Sequence, residues 1–380
     1  MKLKIAIITT VLGIGASATG FAQNNATLYG IADTGVEYIN HGNANGNSVT
    51  RIPAITGELP SRWGLRGEES LGGGFSTIFT LESGLNLRDG SSGQGGRMFG
   101  RQAWVGVQGP YGILSMGRVY TMSYWAILAG DLLIPDIYAG TGSFDNWVPN
   151  ERSDNTISYK GTWNDITAGV TYSFGGRDAS GTGNSPGQGT CNITGGVACR
   201  EWSALLSYNN SRFGLAASYD EQRGGSSTAA ANFFNGTATL ALANPGDKDL
   251  HMQLAGYYVP ANSLKIGGGW IGRRVSFADP ASPGVRSNQF YLTSAWNATP
   301  SLLIDGGVYW ISNHQQNARG TILVLRTTYS FSKRTAVYWQ GGYLFNSAHA
   351  AYSISQGGPG ATPGAGMNQL GMMVGIRHSF

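Results

Sequence analysis

The sequence predicts an all-β chain, a 16-stranded antiparallel transmembrane β-barrel with short turns at one rim and long loops at the other. Three observations carry this. Side chains alternate between apolar and polar with period two over most of the chain, turn-rich gaps between the alternating segments are in turn short and long, and the last strand ends on an aromatic, Phe380.

Composition narrows the class first. In 380 residues there are 59 Gly, 12% charged and 11% aromatic residues, against a globular average of about 7% Gly and about 25% charged. An ordinary cytosolic enzyme is therefore not expected. Disorder is excluded too, because 41% of the chain is apolar and it carries 18 Tyr, 14 Phe and 10 Trp. The 25 basic and 21 acidic residues leave a net charge of only +4, so no nucleic-acid partner is expected.

The amino terminus reads as a signal peptide, residues 1–22. Lys2 and Lys4 precede the uncharged apolar run Ile5 to Ala16, and Gly20-Phe21-Ala22 supplies the small residues of a cleavage site. That run is shorter than the roughly 20 residues of a spanning helix, and nothing beyond residue 22 approaches one. The expected product is an exported domain, residues 23–380. Cys191 and Cys199 lie in a Gly/Asn/Thr-rich stretch, where a loop disulfide can close in the oxidising periplasm. They lack the CxxC spacing and adjacent His of a redox or metal pair.

Strand by strand, the alternation is regular. Ile166, Ala168, Val170, Tyr172 and Phe174 share one face and Thr167, Gly169, Thr171 and Ser173 the other. Phe213, Leu215, Ala217 and Tyr219 oppose Gly214, Ala216, Ser218 and Asp220, and Leu250, Met252, Leu254 and Tyr258 oppose His251, Gln253 and Tyr257. Such segments begin near residues 26, 59, 75, 99, 113, 151, 165, 200, 212, 248, 263, 287, 301, 319, 335 and 368. Short gaps carry turn residues, as in Leu71-Gly72-Gly73-Gly74, Gly109-Pro110-Tyr111-Gly112, Val259-Pro260-Ala261-Asn262 and Phe331-Ser332-Lys333-Arg334. Long gaps, at 39–58, 121–150, 176–199, 224–247 and 348–367, are rich in Gly, Asn, Ser and Pro. Backbone groups in hydrocarbon need internal partners, so a spanning sheet must close on itself. The pairs Tyr257-Tyr258, Tyr309-Trp310 and Tyr338-Trp339 are expected in the aromatic girdles at the membrane rims. In the last segment, Met372, Val374, Ile376, His378 and Phe380 share the outward face.

Several runs resemble the general diffusion porins of Gram-negative outer membranes, in the branch common among β-proteobacteria. They are Thr27-Leu28-Tyr29-Gly30, Ser61-Arg62-Trp63-Gly64-Leu65-Arg66-Gly67, Phe99-Gly100-Arg101-Gln102-Ala103-Trp104-Val105-Gly106, Met116-Gly117-Arg118, Asn155-Thr156-Ile157-Ser158-Tyr159 and Gly375-Ile376-Arg377-His378-Ser379-Phe380. The resemblance implies a homotrimer in the outer membrane, in contact with lipid and lipopolysaccharide. Each barrel would be a water-filled pore for small hydrophilic solutes and ions, narrowed by an inward-folded loop 3 at about 121–150. It further implies that barrel assembly machinery reads the terminal strand through Phe380.

Parity selects the charges that can enter such a pore. Arg62 and Arg66 oppose Trp63 and Leu65, Glu82 opposes Phe79 and Leu81, and Arg101 opposes Trp104. The similar family positions make Arg62, Arg101 and Arg152, with Arg66, the basic side of the constriction. Glu82 and the loop carboxylates Asp131, Asp136 and Asp145 make the acidic side. Basic candidates set against Glu68, Glu82 and the loop aspartates imply weak anion selectivity. The departure from the family is the missing Pro-Glu-Phe-Gly run in loop 3.

No enzyme is expected. The five histidines are scattered, and neither a G-x-S-x-G turn nor a phosphate loop in strand-to-helix context is present. No metal or cofactor is called for. Two other readings stay open at this point: a non-transporting barrel serving as adhesin or structural anchor, and a substrate-specific sugar channel using Tyr120, Tyr124, Trp125, Tyr138 and Trp147 as an aromatic track.

Overall fold

The computed structural model describes residues 25–54, 57–144, 151–175, 198–225, 230–355 and 360–380. The proposed signal peptide, Asp145, Trp147 and Cys191 lie outside the described residues, and Cys199 is disulfide-bonded.

Among the described residues, sixteen strands build one antiparallel sheet. They are β1 (Asn25–Ile39), β2 (Arg62–Gly72), β3 (Phe75–Gly84), β4 (Gln102–Gly109), β5 (Gly112–Tyr120), β6 (Arg152–Trp163), β7 (Ile166–Ser173) and β8 (Glu201–Asn209). The second half comprises β9 (Phe213–Arg223), β10 (Lys248–Ala261), β11 (Leu264–Ser276), β12 (Val285–Thr299), β13 (Leu302–Asn313), β14 (Ala318–Ser330), β15 (Thr335–Asn346) and β16 (Gln369–Ser379). Every observed start lies within three residues of the start read from alternation. Each strand pairs with its neighbours in sequence, and β16 returns to β1 in a register running from Ile31↔Ser379 to Ile39↔Gly371. The cylinder closes there, so the sheet keeps no free edge.

The long gaps contain small β elements that alternation did not reveal. Val49–Arg51 adds to the end of β1, and Ala230–Ala231 pairs with Leu240–Ala241. No described helix is long and apolar enough to cross a membrane. At the short-turn rim, Gly72, Gly73 and Gly74 all adopt positive φ, of 80°, 61° and 82°. Side chains with a Cβ rarely take that conformation, so the glycine run permits the tight reversal from β2 to β3.

The two faces of the sheet follow the alternation. Val374 is 62% exposed beside Met373 at 1%, and Leu206 is 61% exposed beside Leu205 at 6%. Large apolar side chains thus cover the outside, where hydrocarbon is their proper solvent. The lumen face carries Tyr29, Asp33, Glu82, Ser203, Gln253, Thr293, Asp305, Arg326 and Gln340 instead.

The structure corrects one expectation. Of the three aromatic pairs assigned to the girdles, only Tyr258, Trp310 and Trp339 face outward. Their neighbours point inward by parity: Tyr309 and Tyr338 are buried against loop carboxylates and wall groups, and Tyr257 donates to the Asn210 carbonyl. A pair of adjacent strand residues cannot occupy one face.

Candidate functional site

Loop 3 leaves β5 and crosses the lumen face. Its first turn, Met122–Ile127, packs on β8, β9 and β10, with the Met122 amide donating to Ser203 Oγ at 2.9 Å. Gly130 then lies directly on bare backbone of β10 and β11. A Cβ at Gly130 would sit 2.3 Å from the Gly268 carbonyl, and one at Gly267 would sit 2.2 Å from that of Gly130. Thr293 Oγ1 on β12 donates to the Gly130 carbonyl at 2.9 Å. Farther on, the Ile137 amide donates to the Gly57 carbonyl, Tyr138 lies over Gly371 of β16, and Phe144 stacks edge-on against Tyr352. Described loop 3 therefore lines the wall from β8 round to β16.

The carboxylates of this loop are its anchors. Asp131 accepts from Tyr309 at 2.7 Å and Thr141 at 2.5 Å, and Asp136 accepts from Arg326 at 3.0 Å. Arg326 is also held by both oxygens of Asp305. Asp131 and Asp136 are 2% and 0% exposed. The expectation that they face the arginines across the opening is corrected: they turn away, into the β13 and β14 wall, because that is where the Tyr309 and Arg326 donors stand.

The arginines gather on the wall at β2 and at the starts of β4 and β6, where Arg62 is partly exposed and Arg101 and Arg152 are buried. Arg101 donates to Glu82 at 2.7 Å and to the Tyr120 hydroxyl at 2.8 Å. Arg62 lies 3.5 Å from the other Glu82 oxygen, to which Tyr29 also donates at 3.0 Å. Arg152 grips Glu151 through two bonds of 2.6 and 2.8 Å and reaches the Tyr120 hydroxyl at 3.2 Å. The structure brings Arg62, Arg101, Arg152 and Glu82 together on one stretch of wall, joined by Tyr120, which the sequence offered for an aromatic track, and by Glu151, which it did not single out. Arg66 sits apart, exposed, 5.2 Å from the Tyr29 ring.

One parity argument is corrected here. Trp104 pairs with Thr80 and donates to Gln102 on the lumen face, while Ala103 and Val105 face outward. Arg101 precedes the first residue of β4, so strand parity does not govern it. Its place follows from its bonds to Glu82 and Tyr120.

The aromatic residues at the start of loop 3 are engaged with neighbours, though Trp125 remains exposed. Tyr120 and Tyr124 stack at 3.8 Å between centroids, and Lys160 Nζ sits 3.1 Å above the Trp125 ring. Tyr138 is fully buried. Further inward charges that sequence reasoning did not single out are Asp33, Glu58, Asp249, Arg273, Asp305 and Arg326. For all but Glu58, which precedes the strand Arg62–Gly72, the signal was an inward position on an alternating strand.

Among known proteins, the family described as Gram-negative porin matches residues 9–349. An outer membrane porin protein of Bordetella pertussis is 29% identical over 424 residues, covering 100% of both chains. Among solved structures, an anion-selective porin from Comamonas acidovorans superposes with TM-score 0.76 at 23% identity, over 94% of this chain and 100% of that one. The trimer form of OmpT from Vibrio cholerae gives TM-score 0.64 at 14% identity, over 94% and 99%.

Proposed function

The chain belongs to the Gram-negative porin family, and from that premise we propose that this outer-membrane porin passes small hydrophilic solutes and ions by passive diffusion with a weak preference for anions. The observation that carries the preference is unequal access to water. Lumen carboxylates Asp33, Glu58, Glu82, Asp249 and Asp305 are buried and engaged, and so are Arg101, Arg152, Arg273 and Arg326, but the basic set also includes Arg66, which is exposed, and Arg62, Lys160, Lys265 and Arg377, which are partly exposed. Among the described residues the exposed lumen carboxylate is Glu68, near the short-turn rim. A permeating ion meets fixed positive charge, which raises the local anion concentration.

The narrow zone in this reading lies between described loop 3 and the wall of Arg62, Arg101, Arg152 and Glu82, with Arg66 toward the short-turn rim. Three guanidiniums there face two carboxylates, Glu82 and Glu151. The related structure named anion-selective supports the same sign. General diffusion is favoured over a sugar track because Tyr138 is buried and Tyr124 is stacked on Tyr120, which leaves Trp125 as the exposed ring of the described set.

Several parts of the proposal extend from the family: a homotrimer, as in the trimer form of OmpT; a signal peptide cleaved after Ala22; contact with outer-membrane lipid and lipopolysaccharide; and recognition of the Phe380 strand by assembly machinery. The deciding experiment is the reversal potential of the refolded protein in planar bilayers under a salt gradient. Wild type should give an anion-selective sign, and replacing Arg62 and Arg101 together by Ser should shift it toward cations. An unchanged potential would place these arginines outside the conduction path.

A further inference from the structure

Loop 3 shows the lumen a surface without charge. Its helical turn, Met122–Ile127, buries Met122 and Ala126, with Ala129 beyond them, against Leu205, Ala216 and Ala255 of the wall. Helical spacing turns the opposite side to the lumen, where Trp125 and Leu128, three residues apart, are each 37% exposed. Leu132 continues the ridge, partly exposed, over Gly267 of β11; a Cβ on Gly267 would lie 3.1 Å from the Leu132 Cγ. The two charges among the described residues of the loop, Asp131 and Asp136, are bonded into the wall instead. Contiguous apolar surface left facing water marks a place where an apolar group can dock.

Two lysines edge this ridge on the short-turn side. Lys160 Nζ sits 3.1 Å above the Trp125 ring. Lys265 stands two residues from Gly267 on the same face of β11, and its Nζ lies 3.8 Å from the centre of the Tyr257 ring. Both are partly exposed, and among the described residues neither is ion-paired with a carboxylate, in contrast to Lys248. A ring covers one side of an ammonium and leaves it N–H donors for an anion on the other.

Ammonium and ridge touch, Lys160 through Trp125, so one small molecule can meet both. A mineral anion uses the ammonium alone, and a neutral sugar leaves it without a counter-charge. A carboxylate carried on an apolar body uses both surfaces: the carboxylate accepts from Lys160 or Lys265, and the body lies along Trp125, Leu128 and Leu132. We propose that the favoured solutes of this pore are amphiphilic monocarboxylates, small acids whose carboxylate is joined to an alkyl or aryl group. The proposal rests on the anion-preferring channel reading above and names the class of anion.

The test is the reversal potential of the refolded protein in planar bilayers with sodium chloride on one side and sodium acetate, butanoate, hexanoate or gluconate on the other, at a pH where every acid is ionised. In a pore that only sieves, permeability relative to chloride falls as the anion grows. Wild type should instead show a rise from acetate to hexanoate, with gluconate, which has as many carbons as hexanoate but carries hydroxyls, far behind. Leu128→Asn should lower the hexanoate-to-acetate ratio roughly threefold, because it removes apolar contact that acetate does not use. A wild-type fall from acetate to hexanoate would overturn the proposal without recourse to any variant. So would a hexanoate-to-acetate ratio unchanged by Leu128→Asn. A cation-selective sign under a sodium chloride gradient would strike the anion reading, while the order of the carboxylates would still decide this one.

Discussion

Glu82 holds the arginine cluster together, since it takes hydrogen bonds from Arg101 and Tyr29 and lies beside Arg62. Replacing it with Gln keeps the shape and removes one negative charge. Glu82→Gln should therefore shift the reversal potential further toward anions, opposite in direction to the arginine replacements; a shift toward cations would contradict the assigned geometry. Asp136 offers a second handle. Burial pushes its carboxyl from the usual 3.8 up to about 8, against the pull of Arg326 and the Tyr138 amide. The docked loop consequently keeps a proton that an undocked loop releases, so docking is strongest below the usual carboxylate range and weakens as pH rises toward and through about 8. A spin label on loop 3 should become more mobile on going from acid to alkaline pH, and Asp136→Asn should flatten that response. Equal mobility across the range in wild type would refute this account of Asp136.

Loop 3 and the barrel seam both depend on absent side chains. The loop rests at Gly130 on the run Gly267-Gly268-Gly269, where any Cβ meets backbone. Gly130→Val should displace the loop from the β11 wall and change single-channel conductance, while the strand content stays as in wild type; an unchanged conductance would detach this contact from the channel's width. At the seam, a Cβ on Gly30 would lie 2.3 Å from the Phe380 ring and 2.8 Å from the Arg62 carbonyl, while Gly30 and Phe380 exchange two backbone hydrogen bonds of 3.0 Å. Overpacking of this kind costs about 1–3 kcal/mol. Gly30→Ala should lower the temperature at which the folded barrel loses its resistance to detergent, and an unaltered transition would show the seam to be slack. A strand glycine permits close backbone approach, but which segment approaches β11 cannot be read from the sequence, because Gly130 lies more than a hundred residues away and is matched to it only by the fold.

For the molecule as a whole, alternation made the barrel legible because a spanning strand has two solvents, hydrocarbon and water, and each second residue reports one of them. Ile166 to Ser173 and Met372 to Ser379 show this directly. The basic wall was legible for the same reason at Arg62 and Glu82, since charge on the hydrocarbon face costs about 2–4 kcal/mol at the midplane. Asp131 and Asp136 were not, because a loop has no period to say which way a side chain turns; their direction is set by Tyr309 and Arg326 on distant strands. The Trp104 face was misjudged where Arg101, ahead of β4, was counted in strand register with it.

The account stands on a lumen that is continuous and wet. Recording current through the refolded protein in a planar bilayer tests that most directly. Discrete steps should appear, ohmic in voltage and growing in proportion to bulk salt. A folded, membrane-inserted barrel that passes no current would contradict it.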